Sequence, residues 1–239
     1  MKEQESICII GLGYVGMTLA VAFAEVGINV YGVEINEEVL SCLDNGKAHF
    51  KEQGLDSPLA DSLKSGLFKY GKEIPKANNF SSYIITVGTP LDSSGTPRID
   101  MVLNATKQVI GAMNDDSLII LRSTVSIGVT AIIDNELSLT DKNYHIAMCP
   151  ERTLEGKALE ELRTLPQIIG TSNEDTKIRC NKLFSYLTPK IVHVASWETA
   201  EIIKLCDNTY RDVSFAFANE ISKVCDAYSV DCYEVINSG

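Results

Sequence analysis

The strongest constraint on how this chain folds is a glycine pattern close to its N-terminus. The segment Gly11–Gly16, with the sequence GLGYVG, directly follows the apolar run Ser6–Ile10 and opens a stretch with helical character. In a strand, turn and helix of this kind, the first glycine permits the tight turn. The second permits close approach of a pyrophosphate, and the third permits close packing of helix on strand. The pattern predicts a dinucleotide site at a helix N-terminus, with the cofactor-binding residues Gly11, Gly13, Tyr14, Val15 and Gly16.

An acidic residue at the end of the next apolar run predicts which dinucleotide binds. Glu34 follows the run Asn29–Val33 and lies 18 positions beyond Gly16. A carboxylate at this place accepts hydrogen bonds from the adenosine ribose hydroxyls and repels a 2′-phosphate. No Lys or Arg occurs between Asn29 and Glu38 to neutralise such a phosphate. The sequence therefore predicts NAD rather than NADP as the cofactor.

Short apolar runs alternate with helical patterns along the whole chain. The predicted strands are Ser6–Ile10, Asn29–Val33, Tyr83–Val87, Leu118–Leu121, His145–Cys149, Gln167–Gly170 and Ile191–Val194. The predicted helices are Val15–Val26, Glu37–Asn45, Met101–Met113, Val129–Leu139, Asp175–Ser185 and Glu198–Tyr228, the last one capped by Ser196. Alternation of this kind, with strands that are nearly all apolar, is typical of parallel sheets covered on both faces. We therefore expect a doubly wound, Rossmann-like α/β fold with a mostly parallel sheet, followed by a long connecting helix. The stretch 46–75 is expected to be a loop with a short helix.

Composition narrows the classes of partner and compartment. Apolar runs are strand-sized, far below the roughly 18 residues of a membrane helix, and the N-terminus lacks the shape of a signal peptide. The seven cysteines are scattered and form no CxxC pair, which indicates free thiols in a reducing compartment. The net charge of −11 argues against nucleic acid as a general partner. We expect a cytoplasmic protein with no metal, no nucleic acid and no membrane partner.

Three further segments directly follow apolar runs, where a doubly wound sheet places its ligands. They are Thr86–Pro90, Arg122–Val125 and Cys149–Gly156. Glycine and small hydroxyl residues at such an edge allow a cofactor to approach closely, and the charged pair Glu151–Arg152 is hard to explain by packing. The cofactor-binding residues predicted here are Val87, Gly88, Thr89, Pro90, Ser123 and Thr124.

One face of the long helix carries three polar side chains. Lys204, Asn208 and Arg211 are spaced i, i+4 and i+7, so they lie on the same side of the helix. That face presents an ammonium, an amide and a guanidinium together. Such a stripe alone is typical of a solvated helix surface, but the three segments above favour a functional role.

Taken in chain order, these segments closely resemble the UDP-glucose/GDP-mannose dehydrogenase family. The matching pieces are GLGYVG, VGTP, STV, PERTLEG and AEIIKLCDNTYRDV, in the family's order and spacing and over most of the chain. The variants PER and YRDVSFAFANE are most similar to the branch that oxidises N-acetylated UDP-hexosamines. Family members oxidise C6 of a nucleotide sugar twice, from alcohol to carboxylate, with two NAD. The resemblance therefore implies a UDP-sugar substrate.

The resemblance also implies catalytic roles for four residues. Thr124 and Glu151 would order a water near the reacting carbon, and Glu151 would be the general base in thioester hydrolysis. Lys204 and Asn208 would hold the water or alkoxide oxygen, and an ammonium near a developing oxyanion is worth about 3 kcal/mol. Burial beside other cations could instead lower the pKa of Lys204 towards a base role.

Binding roles follow from the resemblance in the same way. Glu155 would lie near the nicotinamide end of the cofactor. Arg152 and Arg211 would meet charge on the substrate, with a structural salt bridge as the alternative for each. The substrate-binding set is therefore Glu151, Arg152, Lys204, Asn208 and Arg211.

The resemblance covers the N-terminal portion of the family. Its second hydride step needs a cysteine nucleophile in a glycine-rich segment beyond the long helix, and none of the seven cysteines has that context. We expect an NAD-binding domain over residues 1–195. Residues 196–239 are expected to hold the connecting helix, through which a homodimer forms, and the start of a missing central and UDP-binding region. The chain alone is expected to bind NAD without oxidising a UDP-sugar.

Two alternatives stay open at this point. A 3-hydroxyacid dehydrogenase of the 6-phosphogluconate dehydrogenase type shares the cofactor domain and a long helix with a lysine and an asparagine. The PERTLEG segment has no place in that class. A non-catalytic NAD-binding module would keep the glycines and Glu34 but would not require Thr124, Glu151, Lys204 and Asn208 together.

Overall fold

The computed structural model describes residues 5–238, and these contain eight strands and nine helices. The strands are β1 (Ser6–Ile10), β2 (Asn29–Val33), β3 (Phe68–Gly71), β4 (Ser82–Ile85), β5 (Ser117–Leu121), β6 (Tyr144–Met148), β7 (Gln167–Gly170) and β8 (Ile191–Val194). The helices are α1 (Tyr14–Glu25), α2 (Glu37–Asp44), α3 (Asp56–Ser65), α4 (Asp100–Ala112), α5 (Val129–Ser138), α6 (Ala158–Thr164), α7 (Glu174–Phe184), α8 (Trp197–Tyr228) and α9 (Cys232–Ser238).

All eight strands form one sheet in the order β3-β2-β1-β4-β5-β6-β7-β8. Every neighbouring pair is parallel except β6 and β7, which run antiparallel and share the single register pair Met148 and Gly170. The chain builds outward from β1 to β3 and then crosses to β4 on the other side of β1. Strand order therefore reverses between β1 and β4, and this switch point is where doubly wound sheets bind ligands at the carboxyl ends of their strands.

Burial explains why these strands are apolar. All five residues of β5 and all four of β4 are buried, because helices cover both faces of the sheet. Helix α1 packs among the sheet, α3 and α6, and its residues Gly16–Ala24 are all buried. Its apolar character on all sides follows from this central position. The core includes the rings of Phe23 and Phe184, whose centroids lie 6.2 Å apart.

The predicted fold class is confirmed, and the seven predicted strands and six predicted helices are present with ends shifted by at most two residues. Three elements were not predicted: β3, α6 and α9. Strand β3 lies at the sheet edge within the stretch expected to be a loop with a short helix, which α3 provides. With four residues and only Phe68 buried, β3 has little apolar pattern to reveal it.

Helix α8 begins after Ser196, whose hydroxyl accepts a hydrogen bond from the Thr199 N–H at 3.2 Å, as the predicted cap requires. The chain divides into two compact units, residues 1–201 and 202–239. The first unit holds the sheet and the second holds the rest of α8 and α9. Within residues 5–238, no helix combines the length and apolar character needed to cross a membrane.

Candidate functional site

The glycine-rich turn joins β1 to α1 at the switch point. Gly11 has φ +94°, in the left-handed region that favours glycine, and its N–H donates to the Val33 carbonyl at 2.8 Å. A Cβ added at Gly16 would lie 1.9 Å from the Gly11 carbonyl oxygen, whereas one added at Gly13 would meet nothing within 4 Å. Gly11 and Gly16 are thus required by the fold. Gly13 is exposed and leaves open space in front of the start of α1, as a bound pyrophosphate requires.

The Glu34 carboxylate lies beside this turn. One of its oxygens accepts the Leu12 N–H at 2.8 Å, and the other accepts the N–H groups of Ile35 and Asn36 at 2.8 and 2.9 Å. These bonds fix a half-buried carboxylate next to the glycine turn, where it can meet ribose hydroxyls. The structure also brings Lys72, which follows β3, into an ion pair with Glu37. Lys72 lies outside the cation-free segment Asn29–Glu38, and the pairing of β3 with β2, which was not predicted, brings it close.

The segments after β4 and β5 meet the glycine turn. The Thr86 hydroxyl lies 2.7 Å from the Gly11 carbonyl oxygen and the Ser123 hydroxyl donates to the Val87 carbonyl at 2.7 Å. The Thr89 hydroxyl hydrogen-bonds to the Thr124 carbonyl. The structure thus brings together, at one edge of the sheet, the predicted cofactor-binding residues Gly11, Gly13, Tyr14, Val15, Gly16, Glu34, Val87, Gly88, Thr89, Pro90, Ser123 and Thr124.

Glu151 is buried and already fully hydrogen-bonded. One oxygen accepts the Nε and Nη2 groups of Arg122, and the other accepts the N–H groups of Arg152 and Thr153 at 2.6 and 2.7 Å. Four donors fill the acceptor sites of a carboxylate. Burial alone would raise the pKa of Glu151, but the Arg122 charge and these hydrogen bonds outweigh it and lower the pKa. The carboxylate is therefore held in its ionised form by Arg122 and the backbone, and the general-base role expected for Glu151 stays a prediction.

Arg122 forms the centre of this buried cluster. Its Nη1 group donates to the Cys149 carbonyl at 3.1 Å and to the Gln167 side-chain oxygen at 2.8 Å. The guanidinium also lies over the Phe184 ring, 5.6 Å from its centroid. Sequence reasoning did not assign Arg122 a role, although a charged residue directly after a fully apolar strand is a signal that could have identified it.

The PERTLEG segment continues from this cluster into an exposed turn. Glu155 is exposed and Arg152 is half-buried, and the turn ends where α6 begins at Ala158. Gly156 has φ +86° at this turn, which again favours glycine. The turn follows β6, a strand on the opposite side of the switch point from β2, and its Gly156 N–H reaches the Tyr14 hydroxyl at the start of α1.

Glu201 is a second buried acid in addition to Glu151, and sequence reasoning assigned it no role. Its carboxylate is 0% exposed and accepts the Gly128 N–H at 2.6 Å, together with the N–H and hydroxyl of Thr130 at 2.9 and 2.6 Å. It therefore caps the N-terminus of α5 and fixes the loop that carries Thr124. In sequence it resembles any charged residue on a helix, so only the fold reveals this contact.

Lys204, Asn208 and Arg211 belong to the second compact unit. They lie along one face of α8, as the spacing predicted. All other predicted site residues belong to the first unit. Among residues 5–238, no group of three or more His, Cys, Asp or Glu side chains is arranged to hold a metal ion.

Comparison with known proteins gives consistent matches. Residues 5–188 match the family model described as the NAD binding domain of the UDP-glucose/GDP-mannose dehydrogenase family, and residues 198–238 match that family's central domain. The UDP-N-acetyl-D-mannosamine dehydrogenase of Methanococcus vannielii is 33% identical, over 98% of this chain and 55% of its own length.

Two solved structures show the same similarity in three dimensions. The UDP-D-ManNAc dehydrogenase of Pyrococcus horikoshii has a TM-score of 0.86 and 31% identity, over 97% of this chain and 56% of its own. The GDP-mannose dehydrogenase of Pseudomonas aeruginosa has a TM-score of 0.86 and 25% identity, with the same two coverages of 97% and 56%. The chain thus spans about half the length of the curated relatives that it matches.

Proposed function

Because the chain belongs to the UDP-glucose/GDP-mannose dehydrogenase family, we propose that it serves in the NAD-dependent oxidation of C6 of a UDP-sugar to the uronic acid. The observation that carries this proposal is the cofactor edge: an open Gly13 before α1, with the Glu34 carboxylate held beside it. Bound NAD supplies the hydride acceptor. The family match over two successive domains favours this reaction over a 3-hydroxyacid dehydrogenase.

The cofactor roles follow from position along the sheet edge. We assign the pyrophosphate to the N–H groups of the turn Gly11–Gly16 and the adenosine ribose to Glu34. Val87–Pro90, Ser123 and Thr124 follow the strands on the other side of the switch point, so they receive the nicotinamide half. Glu155, in the turn after β6, belongs to that same side.

The oxygen chemistry is assigned to three residues. Thr124 would orient a water, and Lys204 with Asn208 would hold the water or alkoxide oxygen, where an ammonium stabilises developing negative charge. Glu151 is proposed separately as the general base of thioester hydrolysis; in this structure its ionised carboxylate accepts from Arg122 and from the N–H groups of Arg152 and Thr153.

We also propose the substrate, the oligomeric state and the cellular location. The named activity of the Methanococcus and Pyrococcus relatives favours a UDP-N-acetylhexosamine, with Arg152 and Arg211 meeting substrate charge. Residues 1–195 would form the NAD-binding domain and 196–239 the connecting helix of a cytoplasmic homodimer. The dimer is supported by an apolar stripe on α8 with spacing 3-4-4-3-4: Tyr210, Val213, Phe217, Ile221, Val224 and Tyr228.

Two measurements test the proposal. Isothermal titration calorimetry on the chain should detect NAD binding. A hybrid that appends the remaining residues of the M. vannielii relative should then form two NADH per uronate from UDP-N-acetyl-D-mannosamine, while the chain alone forms none. In that hybrid, Lys204→Ala should lower turnover by about a hundredfold or more. A chain that binds no NAD, or a hybrid that binds both ligands without forming NADH, would refute the proposal.

A further inference from the structure

Glu52 is a buried carboxylate that no step above uses. It lies in the loop between α2 and α3 and is only 8% exposed. One of its oxygens accepts the Tyr14 hydroxyl at 2.5 Å and the Gly156 N–H at 2.7 Å, and the other accepts the Ala158 N–H at 2.8 Å. A single carboxylate thus contacts α1, the PERTLEG turn and the first residue of α6, which are far apart in sequence.

Tyr14 contacts both Glu52 and the turn at Gly156. Its hydroxyl oxygen also accepts the Gly156 N–H, at 3.1 Å. Burial raises the pKa of Tyr14, and the hydrogen bond to Glu52 raises it further, so the phenol remains a proton donor to the carboxylate. Tyr14 directly follows Gly13 at the start of α1. The turn at Gly156 is therefore hydrogen-bonded to the first residue after the glycine-rich turn.

The position of this contact relates it to one half of the cofactor. Glu34 follows β2 on one side of the switch point, whereas the turn 154–157 follows β6, a strand on the other side, and reaches across to Tyr14 and Glu52. A dinucleotide bound across the switch point has its adenosine on the Glu34 side, so the turn borders the nicotinamide side. That turn carries Glu155.

We propose that Glu52 is a positioning residue for the nicotinamide half of the NAD site. It holds the turn 154–157 against the start of α1, and the Tyr14 hydroxyl contributes by accepting the Gly156 N–H. The inference rests on the proposed function only in taking NAD as the cofactor. It adds a residue from the α2–α3 loop to a site otherwise built at the carboxyl ends of strands.

The test compares two ligands that share the adenosine half. In Glu52→Gln, one oxygen becomes an NH₂ group, so the side chain cannot accept from all three of its donors. The dissociation constant for NAD should rise about tenfold, as expected for the loss of a hydrogen bond to a charged group. That for ADP, which lacks the nicotinamide half, should change less than twofold. Glu160→Gln, an exposed change on α6 with the same loss of charge, should alter neither constant.

A second variant keeps the test decisive if Glu52→Gln does not fold. Tyr14→Phe leaves the carboxylate bonds to Gly156 and Ala158 in place and should weaken NAD about threefold with ADP unchanged. Both constants are measured by calorimetry, with near-ultraviolet circular dichroism as the check on folding. Equal losses for NAD and ADP, or no loss in either variant, would overturn the inference. A wild-type chain that binds ADP but not NAD would refute the proposed function and this inference with it, whereas the outcomes above concern Glu52 alone.

Discussion

The preference that we expect for NAD over NADP rests on one carboxylate. Glu34 is held by three backbone N–H groups beside the glycine turn, and Lys72, the cation that follows β3, is paired with Glu37. We expect NAD to bind at least tenfold more tightly than NADP, a difference of about 1.4 kcal/mol. Glu34→Gln should reduce the ratio of the NADP to the NAD dissociation constant, because a neutral amide repels a 2′-phosphate less than a carboxylate does. Calorimetry with both dinucleotides checks this, and equal dissociation constants for the wild type would contradict it.

A second prediction at this scale concerns acid stability. The pKa of Glu151 is lowered in the fold, so its ion pair with Arg122 stabilises the protein above the ordinary carboxyl value of 4.5 and is lost as the pH falls below it. Glu151→Gln leaves the Arg122 charge buried without a partner and should cost about 3 kcal/mol at pH 7. Urea unfolding from pH 7 to pH 3 should show a smaller acid-dependent loss in this variant than in the wild type. The exposed Glu160→Gln should retain the wild-type profile.

Functional residues could be identified from the sequence where their roles depend only on neighbouring residues along the chain. Glu34 and the three glycines were identifiable because their roles depend on a local strand, turn and helix. Glu151 was located but its contacts were not, since they depend on Arg122, which reaches it from a different strand. Glu52 and Glu201 gave no local signal at all, because each becomes significant only through partners far away in the sequence.

At the scale of elements, the turn between β1 and α1 contains one glycine that the fold requires, Gly16, and one that we expect cofactor binding to require, Gly13. Gly13→Ala adds a Cβ into open space, whereas Gly16→Ala places one 1.9 Å from the Gly11 carbonyl. Gly13→Ala should therefore retain the melting temperature to within a few degrees and lose NAD affinity tenfold or more. Gly16→Ala should lower the melting temperature markedly. Differential scanning calorimetry and NAD titration on the two variants measure this, and a Gly13→Ala variant with unchanged affinity would argue against a pyrophosphate at this turn.

The elements that sequence reasoning missed share a physical cause. Strand β3 has a single buried residue and so no apolar run, and helices α6 and α9 have seven residues each, too few for a helical period to stand out. Their existence depends on neighbours: β3 pairs with β2 along Val30–Val33 and so completes one edge of the sheet. The predicted strands and helices were identifiable because each carries a mostly apolar run or a helical apolar pattern of its own.

At the scale of the whole molecule, the second compact unit exposes a large apolar surface. Phe217 is 67% exposed and Tyr210 is 76% exposed on the α8 stripe. We expect the chain to self-associate through this stripe, since exposed apolar area of this kind usually marks an interface. Sedimentation velocity should detect dimers or larger species. Phe217→Glu should shift the population towards monomer, while Asn219→Glu, a matched charge on another side of the helix, should not. A wild type that stays monomeric at high concentration would contradict the proposed interface.

The weak pairing of β6 with β7 affects how the sheet unfolds locally. Only one register pair links these strands, against four or five at every other join, and the Arg122 side chain spans the gap from the Cys149 carbonyl to Gln167. Regions with few shared backbone bonds open as cooperative units before global unfolding. In native-state hydrogen exchange, the amides of β7 and β8 should therefore exchange together and sooner than those of β1 and β4. Arg122→Met should accelerate exchange in β7 and β8 selectively, so the residue that orders Glu151 would also control the first step by which the sheet comes apart.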